Sequence, residues 1–248
     1  MLRALRAALP REDFVYLGDT ARLPYGTKAA ATVQRYAEQA AGHLTSIGVK
    51  AVVVACNTAA GIALPHLART HPDLLIFGVV RPGADAAAMV ADEHVLVLAT
   101  ESTVLGGAYQ RALLHERAEL RVHARACPLW VTLAEQGGQD SPLVRTILED
   151  SLRGFAASPA GLTLLLGCTH FPVFRPVLEA LRPDWRIVDS ASTTAAAVAE
   201  GLAAAALLKE GTAPGQVQWL ATDGLARFQR IGGYFYGEAI SGARLVDL

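Results

Sequence analysis

The amino-acid sequence predicts an α/β protein with mainly parallel sheets. Short aliphatic runs alternate with longer segments of helical periodicity along the 248 residues, and this alternation is typical of α/β architecture. Several runs are continuously apolar, as are strands buried on both faces of a parallel sheet. Two cysteines also occur in similar sequence contexts 112 residues apart, at positions 56 and 168. This repetition indicates two similar halves.

The individual elements follow from the same patterns. Seven strands are predicted from the apolar runs, at residues 14–17, 51–55, 74–79, 94–99, 162–166, 186–188 and 217–220. Between the first two strands, apolar residues recur at steps of three and four over residues 33–47, which predicts an amphipathic helix. Gly48 follows this segment and is expected to end the helix.

Composition excludes several classes of protein. Hydrophobic residues make up 52% of the chain and charged residues 18%, so enough apolar surface is available to form a core and disorder is excluded. The net charge of −1 gives no electrostatic footprint for nucleic acid. Three cysteines are too few for a disulfide scaffold. Because no apolar run is long enough to span a membrane, we expect a cytoplasmic protein.

The repeated context around two cysteines carries the chemical prediction. The segment 52–58 reads VVVACNT and the segment 164–170 reads LLLGCTH, so each cysteine follows a predicted buried strand. Ligands bind beyond the carboxyl ends of parallel strands. A following helix N-terminus would stabilise a thiolate, so we expect the pKa of both thiols to fall below about 8.5.

Four uses of Cys56 and Cys168 were compared. A reducing cytosol disfavours a disulfide, and the spacing lacks the C-x-x-C of common metal sites. A cysteine hydrolase needs one nucleophile, whereas two thiols on opposite sides of a carbon could remove and return a proton, which is racemisation or epimerisation. Packing of small buried cysteines stays open as the alternative, and Cys127 is interpreted as a packing residue.

Five segments, in order, resemble glutamate racemases. They are GDTARLPYGTK at 18–28, ACNTA at 55–59, TESTV at 100–104, ACPL at 126–129 and LGCTHFP at 166–172. The resemblance runs from residue 1 to about residue 233. It implies a cofactor-independent enzyme that interconverts L- and D-glutamate and supplies D-glutamate for peptidoglycan. It also implies two similar doubly wound domains with the active site in the cleft between them, residues 1–80 plus 193–248 and residues 81–192.

The resemblance also implies residue roles. Cys56 would be the base toward D-glutamate and Cys168 the base toward L-glutamate. His170 would assist proton exchange at Cys168, and Glu135 matches the family's acidic residue near that histidine. The positions that match substrate contacts are Pro24, Tyr25, Gly26, Asn57, Thr58, Thr103 and Thr169.

The implied partner is glutamate, with no cofactor, no metal, no nucleic acid and no membrane; a homodimer is also compatible with the family. No lysine in the cysteine motifs offers an anchor for pyridoxal phosphate. Two alternatives remain: a racemase of aspartate or another amino acid, and a glutamate-binding or regulatory protein. Relatives begin with a strand ending in Asp-Ser-Gly. Here Met1–Leu5 is expected to lie in the first helix, so this strand is expected to be absent.

Overall fold

The computed structural model describes residues 1–155 and 161–248, and every strand pairing within them is parallel. The α/β prediction is therefore confirmed. The strands form three sheets, with the orders β1-β8-β9, β2-β3 and β5-β4-β6-β7. Their bounds are β1 Phe14–Gly18, β2 Ala51–Val54, β3 Leu75–Gly78, β4 His94–Ala99, β5 Arg121–Ala126, β6 Thr163–Gly167, β7 Arg186–Asp189, β8 Val217–Ala221 and β9 Arg244–Leu245.

Eleven α-helices connect these strands within the described ranges. They are α1 Leu2–Ala8, α2 Ala30–Ser46, α3 Asn57–Thr70, α4 Val80–Val90, α5 Glu101–Gly106, α6 Ala108–Glu116, α7 Pro128–Gln136, α8 Pro142–Leu152, α9 Arg175–Leu181, α10 Ser190–Ala204 and α11 Leu225–Tyr236. The predicted helix over 33–47 is α2, and Gly48 follows it with a φ of 79°, a left-handed conformation that glycine adopts at helix ends. Met1–Leu5 leads into α1, as expected.

All seven predicted strands are present with ends shifted by at most one residue, but β5 and β9 were not predicted. β5 reads RVHARA and alternates polar with apolar residues, whereas the prediction relied on continuous apolar runs. Such alternation is typical of a strand with one face exposed to solvent; Arg121 and His123 are exposed, and β5 lies at the edge of its sheet.

The four-stranded sheet forms the most deeply buried part of the molecule. All five residues of β6 are buried, as are Val95–Ala99 of β4. One face packs against an aliphatic and aromatic cluster that includes Trp130, Phe171 and Phe174, and the other against an alanine-rich cluster around Tyr109. This sheet therefore holds Cys168, which follows β6, on a rigid support.

The remaining strands form two smaller and less buried sheets. Every residue of β3 is half-buried, and in β2 only Val52 is buried. Among the described residues, β1 and β2 do not pair with one another, although both contribute side chains to the same cluster on α1 and α10. Each of these two strands thus leaves one edge without a hydrogen-bonded neighbour.

An ion pair links the starts of these two strands. Glu12 precedes β1 and is 5% exposed, and its Oε2 atom lies 2.6 Å from Nζ of Lys50, which precedes β2. Its Oε1 atom accepts the backbone N–H of Lys209 at 2.6 Å. A buried carboxylate needs such partners because its desolvation is costly, so the pair connects strands that the sheet hydrogen bonds do not.

The division into domains at residues 80 and 193 remains a prediction. Along the residues that the structure describes, no helix is both long and apolar enough to cross a bilayer.

Candidate active site

The first candidate base, Cys56, lies between the end of β2 and the start of α3. It is the N-cap residue of that helix, with extended backbone angles, and its side chain is half-buried. Hydrogen bonding from the backbone N–H groups of Ala59 and Thr58 and from the Thr58 hydroxyl acts to lower the pKa of its thiol. This is the predicted strand-to-helix position, where unpaired N–H groups are available.

The second candidate base, Cys168, follows β6 and is buried, with 7% of its surface exposed. A turn and a 3₁₀ helix, Phe171–Phe174, separate it from α9. The predicted helix N-terminus is therefore replaced by a tighter turn, in which the backbone N–H groups of His170 and Phe171 approach the sulfur. Thr169 lies in this turn and is half-buried.

The expectation of low thiol pKa values is wrong. Burial raises the pKa of Cys56 above its ordinary value and raises the pKa of Cys168 to about 12. The directed N–H groups act in the opposite direction but do not offset the loss of hydration of a thiolate. Both cysteines therefore favour the protonated thiol near neutral pH.

The segments that carry the two thiols meet at one side chain although they follow strands of different sheets. Charges on Cys56 and on Cys127 further raise the pKa of Cys168. Tyr109, which is fully buried, connects the two segments: its hydroxyl donates to Oδ1 of Asn57 at 2.5 Å. Its ring packs against Gly167, where an added Cβ would lie 3.1 Å from the ring.

A hydrogen-bonded chain leads away from Cys168. Nδ1 of His170 lies 3.9 Å from the Cys168 sulfur, and Nε2 lies 3.2 Å from Oε1 of Glu135 on α7. The hydrogen bond with His170, together with the charges of His170 and Arg227, lowers the pKa of Glu135 against the effect of its burial. Because an ionised carboxylate only accepts, Nε2 must carry the hydrogen. Nδ1 is then the ring atom that faces the Cys168 sulfur.

Three threonine hydroxyls form a closed triangle beside Cys56. Thr58 Oγ1 lies 3.0 Å from Oγ1 of both Thr100 and Thr103, which lie 2.9 Å from one another. Thr58 lies in the first turn of α3, whereas Thr100 and Thr103 lie at the start of α5. The carboxyl ends of β2 and β4 thus meet here and present a cluster of hydroxyl donors and acceptors.

The segment with Pro24, Tyr25 and Gly26 packs against this triangle. Gly26 is buried, and a Cβ added there would lie 2.6 Å from Cβ of Thr100. Ser102 Oγ donates to the Gly26 carbonyl at 2.7 Å. The Tyr25 hydroxyl donates to Asp19, and Pro24 is exposed at the start of the turn. Glycine is required here by the close approach.

The predicted site residues therefore form two groups. Tyr25, Gly26, Asn57, Thr58 and Thr103 surround the Cys56 end, whereas Thr169, His170 and Glu135 surround Cys168. Sequence reasoning missed Tyr109, Arg227 and Phe235, which carry no local motif and are brought to the site by packing.

Cys127 is a buried packing residue, as interpreted, but its position in the fold was not predicted. It is buried in the large core cluster, as expected of a packing residue. It also follows β5 and caps the N-terminus of α7, so it lies at the same edge of the sheet as Cys168. This context was overlooked because β5 itself was not predicted.

No group of three or more metal-ligating side chains occurs among residues 1–155 and 161–248. The polar groups assembled here are thiols, hydroxyls, an amide and an imidazole–carboxylate pair. Such a set can bind a small anionic molecule and move protons at its centre.

The chain is similar to proteins of known sequence and structure. Residues 1–198 match the family model described as Asp/Glu/Hydantoin racemase. A glutamate racemase of Geobacter metallireducens is 39% identical, over all of this chain and 92% of that protein. A glutamate racemase of Thermus thermophilus is 45% identical, over 84% of this chain and 77% of that protein.

Solved structures agree with this assignment. The crystal structure of the Thermus thermophilus glutamate racemase in complex with β-chloro-D-alanine superimposes with a TM-score of 0.89 at 40% identity, covering 100% of this chain and 91% of that one. The glutamate racemase of Francisella tularensis in complex with D-glutamate gives 0.92 at 28% identity, covering 99% and 92%. The chain therefore belongs to the Asp/Glu/hydantoin racemase family and is an isomerase.

Proposed function

We propose that this chain interconverts L- and D-glutamate without a cofactor, using Cys56 and Cys168 as two opposed bases. The observation that carries the proposal is that the buried side chain of Tyr109 joins the segments that hold the two thiols at the carboxyl ends of β2 and β6: its hydroxyl donates to Asn57 and its ring packs against Gly167. Full-length similarity to glutamate racemases supports the choice of glutamate. The product D-glutamate would supply peptidoglycan synthesis in the cytoplasm.

Each turnover removes one proton from the α-carbon of glutamate and adds one proton to the opposite face of that carbon. With L-glutamate bound, the Cys168 thiolate removes the α-proton, and the Cys56 thiol delivers its own proton to the opposite face of the carbon. The product is D-glutamate, and the two cysteines have exchanged protonation states. The reverse reaction starts from the Cys56 thiolate. His170 takes up and returns the Cys168 proton through Nδ1, and Glu135 holds the imidazole in place.

The hydroxyl and backbone groups around Cys56 would bind the substrate. The threonine triangle and the amide of Asn57 suit carboxylates, because their donors can reorient toward an anion. Nδ2 of Asn57 is buried without a hydrogen-bond partner among the described residues, which leaves one donor unused. Donors aligned on the α-carboxylate stabilise the charge that develops as the α-proton leaves. Tyr25, Gly26 and Thr169 complete the proposed pocket between the two predicted domains.

Solvent exchange tests this proposal directly. L-glutamate incubated with the enzyme in D₂O, without pyridoxal phosphate, should yield D-glutamate carrying deuterium at the α-carbon, as measured by NMR and chiral chromatography. Cys56→Ser and Cys168→Ser should each reduce racemisation at least about a thousandfold, because each removes one base. Cys127→Ala is the matched control and should remain active.

Two results would overturn the proposal. Racemisation by either serine variant at the wild-type rate would exclude the two-base mechanism. A thermal shift with glutamate but no exchange in the wild-type chain would identify a binding protein instead, and exchange of aspartate in preference to glutamate would change the substrate.

A further inference from the structure

Helix α11 contacts the Cys168 side of the site through two side chains. Nη2 of Arg227 donates to Oε2 of Glu135 at 2.6 Å, while Oε1 of the same carboxylate is bonded to His170. Eight residues further along the helix, the ring of Phe235 meets the His170 ring edge to face, with centroids 5.1 Å apart and planes at 85°. The helix thus holds both the carboxylate and the imidazole.

Packing against the neighbouring sheet fixes the position of α11 and therefore of Arg227 and Phe235. Phe228 is 7% exposed and packs with Trp219 of β8 and Leu2 of α1, and Tyr236 meets Trp219 edge to face at 5.0 Å. The helix is therefore fixed on the small sheet that contains β1 and β8. From there it reaches α7, which belongs to the core of the four-stranded sheet.

The Arg227–Glu135 pair differs from an ordinary surface ion pair. The Arg227 side chain is 65% exposed, and an exposed pair contributes little to stability. The Glu135 side chain, however, is only 14% exposed, and each of its two oxygens has one partner. Loss of Arg227 leaves one oxygen of a mostly buried carboxylate unpaired. The carboxylate can then rotate away from His170.

We propose that Arg227 is a positioning residue that fixes Glu135, and through it His170, for proton transfer at Cys168. The inference rests on the proposed function, since it assigns Arg227 to one of the two bases only. It predicts that loss of Arg227 slows the proton transfer at Cys168 and leaves the transfer at Cys56 unchanged.

Isotope effects can separate the two transfers where rates alone cannot. The equilibrium constant of a racemisation is one, so kcat/KM must fall equally in both directions in any variant. The isotope effect with α-deuterated L-glutamate reports the removal of the proton by Cys168, and that with α-deuterated D-glutamate reports removal by Cys56. Slower transfer at Cys168 raises the first effect and lowers the second.

The experiment compares Arg227→Met with Arg230→Met. Arg230 is exposed on the same helix and takes part in no ion pair among the described residues. Arg227→Met should lower kcat about fivefold, raise the isotope effect with L-glutamate and lower that with D-glutamate. Arg227→Lys should recover part of the loss, since it restores the charge but not the planar fork. Arg230→Met should match the wild type.

A second measurement does not depend on turnover. The His170 imidazole signals, assigned by NMR with a His170→Gln variant, should move in Arg227→Met and stay in Arg230→Met. Unmoved His170 signals, or two isotope effects that change in the same direction, would overturn the proposal. Failure of the proposed racemisation would be recognised separately, as a wild-type chain that does not exchange the α-proton.

Discussion

The four-stranded sheet and the two-stranded sheet of β2 and β3 supply one candidate base each, but they hold it differently. β6 is a central strand buried along its whole length, and Cys168 behind it is 7% exposed. Within residues 1–155 and 161–248, β2 pairs only with β3; it is mostly half-buried, and Cys56 is half-buried as well. A base at the end of a central strand is positioned by packing on both faces. A base at the end of a two-stranded sheet depends on its helix and on neighbouring polar contacts.

The largest difference in the free energy of unfolding between the two regions is expected when an ion pair is removed from each. Lys50→Met leaves the carboxylate of Glu12, which is 5% exposed, without its cation and should reduce the free energy of unfolding by about 3 kcal/mol. The four-stranded sheet offers a matched pair, Arg186–Asp92 at 2.7 Å, with side chains 46% and 63% exposed. Arg186→Met should cost less than about 1 kcal/mol. Urea unfolding compares them, and equal losses would show that Glu12–Lys50 does not connect the small sheets.

Matched truncations of valine probe the packing of the two regions. Val97 of β4 is 1% exposed, whereas Val53 of β2 is half-buried. Val97→Ala removes two buried carbons and leaves a cavity, so it should cost about 2–3 kcal/mol. Val53→Ala should cost about half as much. Urea denaturation again measures both losses, and a larger loss for Val53 would reverse the comparison.

The contact between the regions depends on Gly26. In Gly26→Ala the new Cβ would lie 2.6 Å from Cβ of Thr100, so the turn or the start of α5 must shift, at a cost of about 1–3 kcal/mol. The control is Gly42→Ala in α2, where an added Cβ meets nothing within 4 Å and should stabilise the helix by up to about 1 kcal/mol. Thermal unfolding gives the sign of each change, and a neutral Gly26→Ala would show that the contact is not tight.

The smallest difference between the two regions is expected at alkaline pH, because burial raises the pKa of both thiols. The pKa of Cys168 is raised to about 12 by burial, so on raising the pH the unfolded chain loses this proton first. The stability that the neutral thiol contributes is complete below about pH 8.5 and is lost between there and pH 12, at no more than about 1.4 kcal/mol per pH unit. Cys168→Ser should flatten this decline between pH 8 and 10 more than Cys56→Ser does. Equal slopes would show equal burial of the two thiols.

Most of the fold was accessible from sequence because its signals are local. Continuous apolar runs identified seven strands, and the repeated strand–cysteine context identified both candidate bases. β5 was not predicted because its polar and apolar residues alternate and form no continuous apolar run. The direction of the thiol pKa shifts was also predicted wrongly, because a local argument counts the N–H groups near a thiolate but not the water that folding removes.

The sequence by itself determined which segments become strands and helices, and it placed Cys56 and Cys168 each at the end of a strand. Only the tertiary structure decided that burial raises the pKa values of the two thiols, that Tyr109 joins the segments that carry them, and that Arg227 and Phe235 contact Glu135 and His170. These three residues come from helices distant in sequence from either cysteine. Their positions are set by how whole helices pack on the sheets, and that packing depends on side chains throughout the chain.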